Sequence, residues 1–152
     1  MKNKGILIVV SGFSGSGKGT LMKKMTETYD NYALSISMTT RAPREGERDG
    51  VEYFFTDKQD FEQKISENQL IEYACYCENY YGTPREYVEK KLAEGKDVIL
   101  EIEIQGALKV KEKLPEIILI FVTPPSAEIL KERLVYASAS RPYRLRRPQP
   151  RA

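Results

Sequence analysis

Residues 12–20 read Gly12-Phe13-Ser14-Gly15-Ser16-Gly17-Lys18-Gly19-Thr20, and they restrict the rest of the chain more than any other stretch. An apolar run, Ile6-Leu7-Ile8-Val9-Val10, precedes them, and Leu21, Met22, Met25 and Tyr29 follow at helical spacing. The order strand, glycine-rich loop, helix is the setting of a phosphate-binding P-loop. Backbone N–H groups must converge on phosphate oxygens, so Gly12, Gly15 and Gly17 supply space and positive-φ freedom. The helix N-terminus adds partial positive charge and Lys18 a full one. The strict pattern places Ser or Thr directly after the lysine. Here Gly19 intervenes, and Thr20 is the candidate for a magnesium-side hydroxyl, directly or through water.

A chain of 152 residues with 41% apolar and 30% charged residues suits one globular domain. It has no histidine, which excludes Ser-His-Asp and Cys-His chemistry, and only two cysteines, too few for a structural zinc site. Cys75 and Cys77 are expected to pack on one face of a strand. No apolar run is long enough to span a bilayer and no signal-peptide pattern is present, so the cytoplasm is the expected compartment. Residues 136–152 hold five arginines (141, 144, 146, 147, 151) and no acid, leaving a mildly acidic body. Neither nucleic acid nor a membrane is an expected partner.

Strands near residues 6, 34, 97 and 117 alternate with helical segments, which predicts an α/β fold with a doubly wound parallel sheet. The last of these, Ile117 to Val122, has the unbroken apolar character of a central strand. Residues 37–83 break the rhythm and read as an inserted α+β lobe, leaving a core of 1–36 and 84–135. Thr56 and Gln59 form a candidate capping box, and Ser126 a cap for the final helix, with Ile129, Leu130 and Leu134 facing inward. Thr83-Pro84-Arg85-Glu86 is a second candidate box. From Tyr136 the chain becomes Arg/Pro-rich and is expected to be disordered.

A P-loop names the phosphate donor, and the acceptor must be sought in the insertion. Arg41 and Arg44, separated by Ala42 and Pro43, can grip a dianionic phosphate, with Tyr53 and Tyr81 as neutral donors. Taken singly, the arginines also fit a solvated loop and the tyrosines strand packing. Glu72 stands in an apolar strand between Ile71 and Tyr73, where a carboxylate is costly unless paired, which marks it as a ligand candidate.

These segments together resemble the guanylate kinase family. The resemblance rests on Gly12–Thr20, Ser37–Glu47, Gly50 with Tyr53, Leu70–Ala74, Asn79–Thr83, Glu101–Gly106 and Pro124–Ser126, and covers about residues 5–134. It implies transfer of phosphate from ATP to GMP, with Mg²⁺. By that resemblance the P-loop and Lys18 hold ATP, while Arg41, Arg44, Tyr53 and Tyr81 hold the GMP phosphate. Ser37, Glu72, Thr83 and Glu103 frame the guanine, and Arg133 neutralises charge in transit. Guanine presents N1–H and an N2 amine side by side, a matched pair of donors for one carboxylate, whereas adenine does not. Thr83 stands between two roles, base contact and helix cap. Position 103 is glutamate where the family usually has aspartate. Past Leu134 the resemblance stops, with Ala137 where a second lid arginine would stand, so the lid and last strand are expected to be missing. Normal GMP affinity with slow turnover is the corresponding expectation. Two other readings compete: a non-catalytic guanylate-kinase-like binding module, against which the intact P-loop argues, and another P-loop small-molecule kinase, against which Arg41, Arg44 and Glu72 argue.

Overall fold

The computed structural model describes residues 4–139. Its first strand, β1 (Leu7–Gly12), is buried along almost its whole length, as its Val/Ile content requires of a strand covered on both faces. Helix α1 (Lys18–Thr28) returns the chain to β2 (Tyr32–Leu34), and the insertion begins with β3 (Met38–Thr39). Then follow β4 (Phe54–Phe55), α2 (Lys58–Ser66), β5 (Leu70–Tyr76) and β6 (Asn79–Pro84). Helix α3 (Arg85–Ala93), β7 (Asp97–Glu101), α4 (Ile104–Lys113), β8 (Ile118–Val122) and α5 (Ala127–Ala139) complete the described chain.

Two sheets result. The first is parallel throughout, in the order β2-β7-β1-β8. The second is mixed, in the order β4-β3-β6-β5, with β5 and β6 an antiparallel hairpin. Alternation along the strands of the first sheet separates two cores. Val9, Val98 and Leu100 face Val88 and Leu92 of α3 and Ala107 and Val110 of α4. Ile8, Val10 and Ile99 face the opposite way, onto Met22 of α1. Helices on both faces make the sheet doubly wound, as the alternating sequence predicts.

The insertion is joined to this core through Ile71, which packs in the cluster of Val9 and Leu100. A register shift between Leu70 and Tyr73 lets two consecutive residues, Leu70 and Ile71, both be buried. Gly82 allows β6 to lie against β5: a Cβ there would stand 2.8 Å from the Glu72 carbonyl oxygen and 3.0 Å from Phe61. Phe61, fully buried, stacks on Tyr80 with ring centroids 5.1 Å apart.

Several sequence expectations need correction. The α2 cap is Asp57, whose carboxylate accepts the Asp60 N–H at 2.8 Å; the Thr56 hydroxyl instead reaches the Asp60 side chain. Cys75 and Cys77 are exposed, because the β5–β6 hairpin extends beyond the packed layer. Cys77 and Glu78, with φ of 48° and 64°, form its turn. Strand β8 lies at one edge of the described sheet, not its centre, with Ile118, Ile120 and Phe121 exposed. Ser126 does cap α5, accepting the Ile129 N–H at 3.3 Å, but Leu134 is 40% exposed. Helix α5 continues through Ala139, past the expected boundary at residue 135. The tail arginines 141, 144, 146, 147 and 151 lie outside the described residues.

Candidate functional site

Two groups of side chains stand out, one at the end of β1 and one in the inserted lobe. At the first, the strand runs into a loop whose three glycines adopt φ of 151° (Gly12), 80° (Gly15) and 100° (Gly17). Side chains are excluded by space as well as by conformation at Gly12, where a Cβ would lie 2.2 Å from the Val122 carbonyl oxygen. Gly17 is the N-cap of α1, and the first turn of that helix holds no acid, so its free N–H groups and dipole face the loop uncompensated.

Lys18 folds over this loop, its Nζ donating to the carbonyl oxygens of Gly12 at 2.8 Å and Phe13 at 2.9 Å. Arg133 reaches across from α5, with Nη1 donating to the Ser16 carbonyl oxygen at 3.1 Å. Both cations thus lie against the glycine-rich loop. Gly15, Ser16, Gly17, Thr20, Leu21, Lys24 and Arg133 line an open cleft of about 720 Å³. The Ser16 hydroxyl is buried with no hydrogen-bond partner among the described residues, an orphaned donor in the cradle. Phe13, Ser14 and Gly19 are exposed at its rim. No carboxylate lines the cleft, and no cluster of three His, Cys, Asp or Glu suited to a metal occurs among the described residues. Such a donor set fits Mg²⁺ arriving on a triphosphate, with Thr20 as the candidate hydroxyl ligand, rather than an all-protein cage.

The second group is built on β3, β5 and β6. Glu72 is half-buried, and Thr83, fully buried, donates its hydroxyl to Glu72 Oε1 at 2.7 Å. That contact speaks against the helix-cap alternative for Thr83. It is a strand residue bound to a carboxylate, while Pro84 occupies the N-cap of α3 and no side chain caps that helix. Burial pushes the Glu72 carboxyl pKa up, and the Thr83 hydrogen bond offsets part of the shift. Gly106 of α4 lies beside it, and a Cβ there would be in ordinary contact with Glu72 Oε2 at 3.5 Å. Glu103 is the N-cap residue of the same helix, three positions before Gly106, and its side chain makes no capping bond.

Pairing of β3 with β6 sets Thr39 opposite Tyr81, which carries the arginine loop to the same end of the lobe. Arg41 lies over Tyr53, with Cζ 5.4 Å from the ring centroid, and Tyr53 stands edge-on to Tyr81 at 6.2 Å. Arg44 is exposed, and among the described residues its guanidinium has no hydrogen bond or ion pair. Ser37 directly precedes β3 and accepts the Phe54 N–H on its carbonyl at 2.9 Å. Arg41, Tyr53 and Tyr81 are therefore in one cluster, and Glu72 and Thr83 are in mutual contact. Among the described residues, no side-chain hydrogen bond or ion pair joins Ser37 or Glu103 to either group.

Sequence reasoning passed over two participants. Thr39 is fully buried; its hydroxyl donates to the Tyr80 carbonyl at 2.9 Å and accepts the Arg41 N–H at 3.2 Å. Glu47 binds Arg41 through both carboxylate oxygens. The signal for Glu47 was its place one residue after a turn glycine and three after Arg44.

The family model described as guanylate kinase matches residues 4–144. Guanylate kinase of Oceanobacillus iheyensis is 58% identical over 135 residues, covering 89% of this chain and 66% of that protein. Guanylate kinase of Clostridium perfringens strain 13 is 54% identical over 140 residues, covering 92% and 65%. The crystal structure of guanylate kinase from Anaplasma phagocytophilum superposes with a TM-score of 0.69 at 37% identity, covering 91% of this chain and 70% of that one. The chain spans about two thirds of the length of the curated relatives it matches. A phosphate cradle on a doubly wound sheet, an inserted lobe with paired arginines and a half-buried glutamate, and these likenesses agree: the chain belongs to the guanylate kinase family.

Proposed function

We propose that the chain transfers the γ-phosphoryl group of ATP to the phosphate of GMP, yielding ADP and GDP. The observation that carries this reading is the Thr83–Glu72 pair, a half-buried carboxylate with acceptor capacity left after one hydroxyl has bonded to it. Guanine N1–H and N2–H₂ would complete that carboxylate, and adenine would leave it unpaired. Arg41 and Arg44, with the Tyr53 and Tyr81 hydroxyls, would hold the acceptor phosphate, and Ser37 and Glu103 would frame the base.

Phosphoryl transfer asks a protein mainly for alignment and charge neutralisation. An oxygen of the GMP phosphate attacks the γ-phosphorus as the bond to the β–γ bridging oxygen breaks, and ADP leaves with that electron pair. Residues 12–20 would supply N–H donors to the donor phosphates, and Lys18 and Arg133 would neutralise charge. For Lys18 this means exchanging its bonds to Gly12 and Phe13 for phosphate oxygens. Mg²⁺, held by the phosphates and the Thr20 hydroxyl, would draw charge from the transferring group.

Ligand-dependent melting tests both halves. Millimolar GMP and ATP–Mg²⁺ should each raise Tm, because each binds only the folded chain, and AMP in place of GMP should not. Protection by neither nucleotide would favour the non-catalytic binding module.

A further inference from the structure

An arginine that grips phosphate must present its free donors outward before the ligand arrives. Arg41 is held from several directions at once. Its Nη1 donates to the Ala42 carbonyl at 2.7 Å, and its Nη2 donates to both oxygens of Glu47, each at 2.9 Å. Tyr53 and Phe55 lie 5.4 and 5.9 Å from its Cζ, and Thr39 fixes its backbone. Glu47 is locked in turn. Its Oε2 accepts the Arg44 N–H at 2.8 Å and its own N–H donates to the Arg44 carbonyl at 3.0 Å, with Gly46 at φ 85° turning the chain between them. One carboxylate thus ties the guanidinium of Arg41 to the backbone of Arg44, whose own guanidinium is left to solvent.

We propose that Glu47 is a positioning residue for the acceptor phosphate, holding Arg41 and Arg44 in a preset grip without touching the ligand. The proposal rests on the reading of this loop as the GMP-phosphate site. Charge alone makes the opposite forecast. A carboxylate beside two arginines reduces the local charge from +2 to +1, so removing it should tighten binding of a dianion. Preorganisation predicts weaker binding, because an untethered arginine must be ordered when the phosphate arrives. The sign of the effect therefore separates the two roles.

The test is calorimetric titration of the intact chain with GMP and with guanosine, in the parent, Glu47→Gln, Glu47→Asp, Arg41→Met and the Glu47→Gln/Arg41→Met double variant. In Glu47→Gln the amide presents N–H groups where the Arg41 and Arg44 donors need an acceptor. GMP affinity should fall roughly tenfold, near the upper end of what ordering one rotamer-rich side chain is worth. Guanosine affinity should hold within about twofold on the same scale. Glu47→Asp keeps the charge but withdraws it by one methylene, and it should also weaken GMP. In the Arg41→Met background the Glu47→Gln change should have little further effect, since the grip it served is gone. Tighter GMP binding by Glu47→Gln would overturn the proposal in favour of a counter-charge. Equal weakening of GMP and guanosine, or the same loss with and without Arg41, would overturn it in favour of a general loop scaffold. Failure of the parent chain to bind GMP would overturn the phosphate-site reading as well.

Discussion

Replacing Glu72 by glutamine is the sharpest probe of base recognition, because it changes charge and hydrogen bonding with almost no change of shape. Oε1 of Glu72 already accepts the Thr83 hydroxyl at 2.7 Å, so Oε2 and the remaining lone pairs are what a guanine would use. A glutamine keeps the oxygen facing Thr83 and turns an NH₂ toward the guanine donors, setting donor against donor. Hydrogen bonds to charged groups contribute about 1.5–3 kcal/mol each, and relief of the carboxylate's burial offsets part of that loss. The net expectation is about 2 kcal/mol, or roughly a thirtyfold rise in the Kd for GMP. Titration calorimetry at neutral pH reads it directly, with a thermal melt as the control for folding.

The pH dependence adds a second reading. Burial raises the Glu72 pKa in the folded chain, so the folded state binds its proton more readily than the unfolded one. Between the unfolded and folded values, stability falls as pH rises, and Glu72→Gln should remove that slope. Guanosine, which carries no phosphate of its own to titrate, should bind less well as pH drops through the raised value. The glutamine variant should show no such decline. Unchanged GMP affinity in Glu72→Gln would refute a guanine-reading role for this residue.

The remaining predictions concern phosphate and packing. Arg44→Met should raise the Kd for GMP by about 10- to 100-fold, the worth of one or two charge-assisted bonds, while guanosine affinity in the same calorimeter stays level. Thr83→Val should weaken GMP binding about tenfold through an unsatisfied Glu72, yet leave the helical circular dichroism signal intact because Thr83 caps no helix. Gly82→Ala should cost about 1–3 kcal/mol in urea unfolding, since the new methyl meets the Glu72 backbone oxygen and Phe61.

The parts of this molecule most legible in its sequence are those where chemistry leaves little choice. A loop of backbone donors around phosphate demands glycine, and Gly12, Gly15 and Gly17 all take positive φ. Strands covered on both faces demand runs such as Leu7–Val10, which sit centrally between two helical layers. Where two local rules competed, pattern alone misled. Thr83-Pro84-Arg85-Glu86 satisfies every requirement of a capping box, but pairing of β5 with β6 keeps Thr83 in a strand and aims its hydroxyl at Glu72. Cys75 and Cys77 share a strand-like spacing, but that spacing says nothing about how far a hairpin projects from its core. The apolar run of β8 likewise cannot say whether its strand is central or at an edge. Glu47 went unread because its contacts depend on two residues, Arg41 and Arg44, brought together by one turn.

Coupled ADP release, measured on this chain with ATP–Mg²⁺ and an acceptor series of GMP, dGMP, AMP and UMP, bears most directly on the proposed reaction. GMP and dGMP share the donor pair that the proposal assigns to the Glu72 carboxylate, so both should give nucleotide-dependent ADP release. AMP and UMP should stay at the rate without acceptor. Release with AMP equal to that with GMP would contradict base selection by the Glu72 carboxylate. A chain that binds both nucleotides in melting experiments yet releases no ADP with any acceptor would contradict the transfer reaction itself.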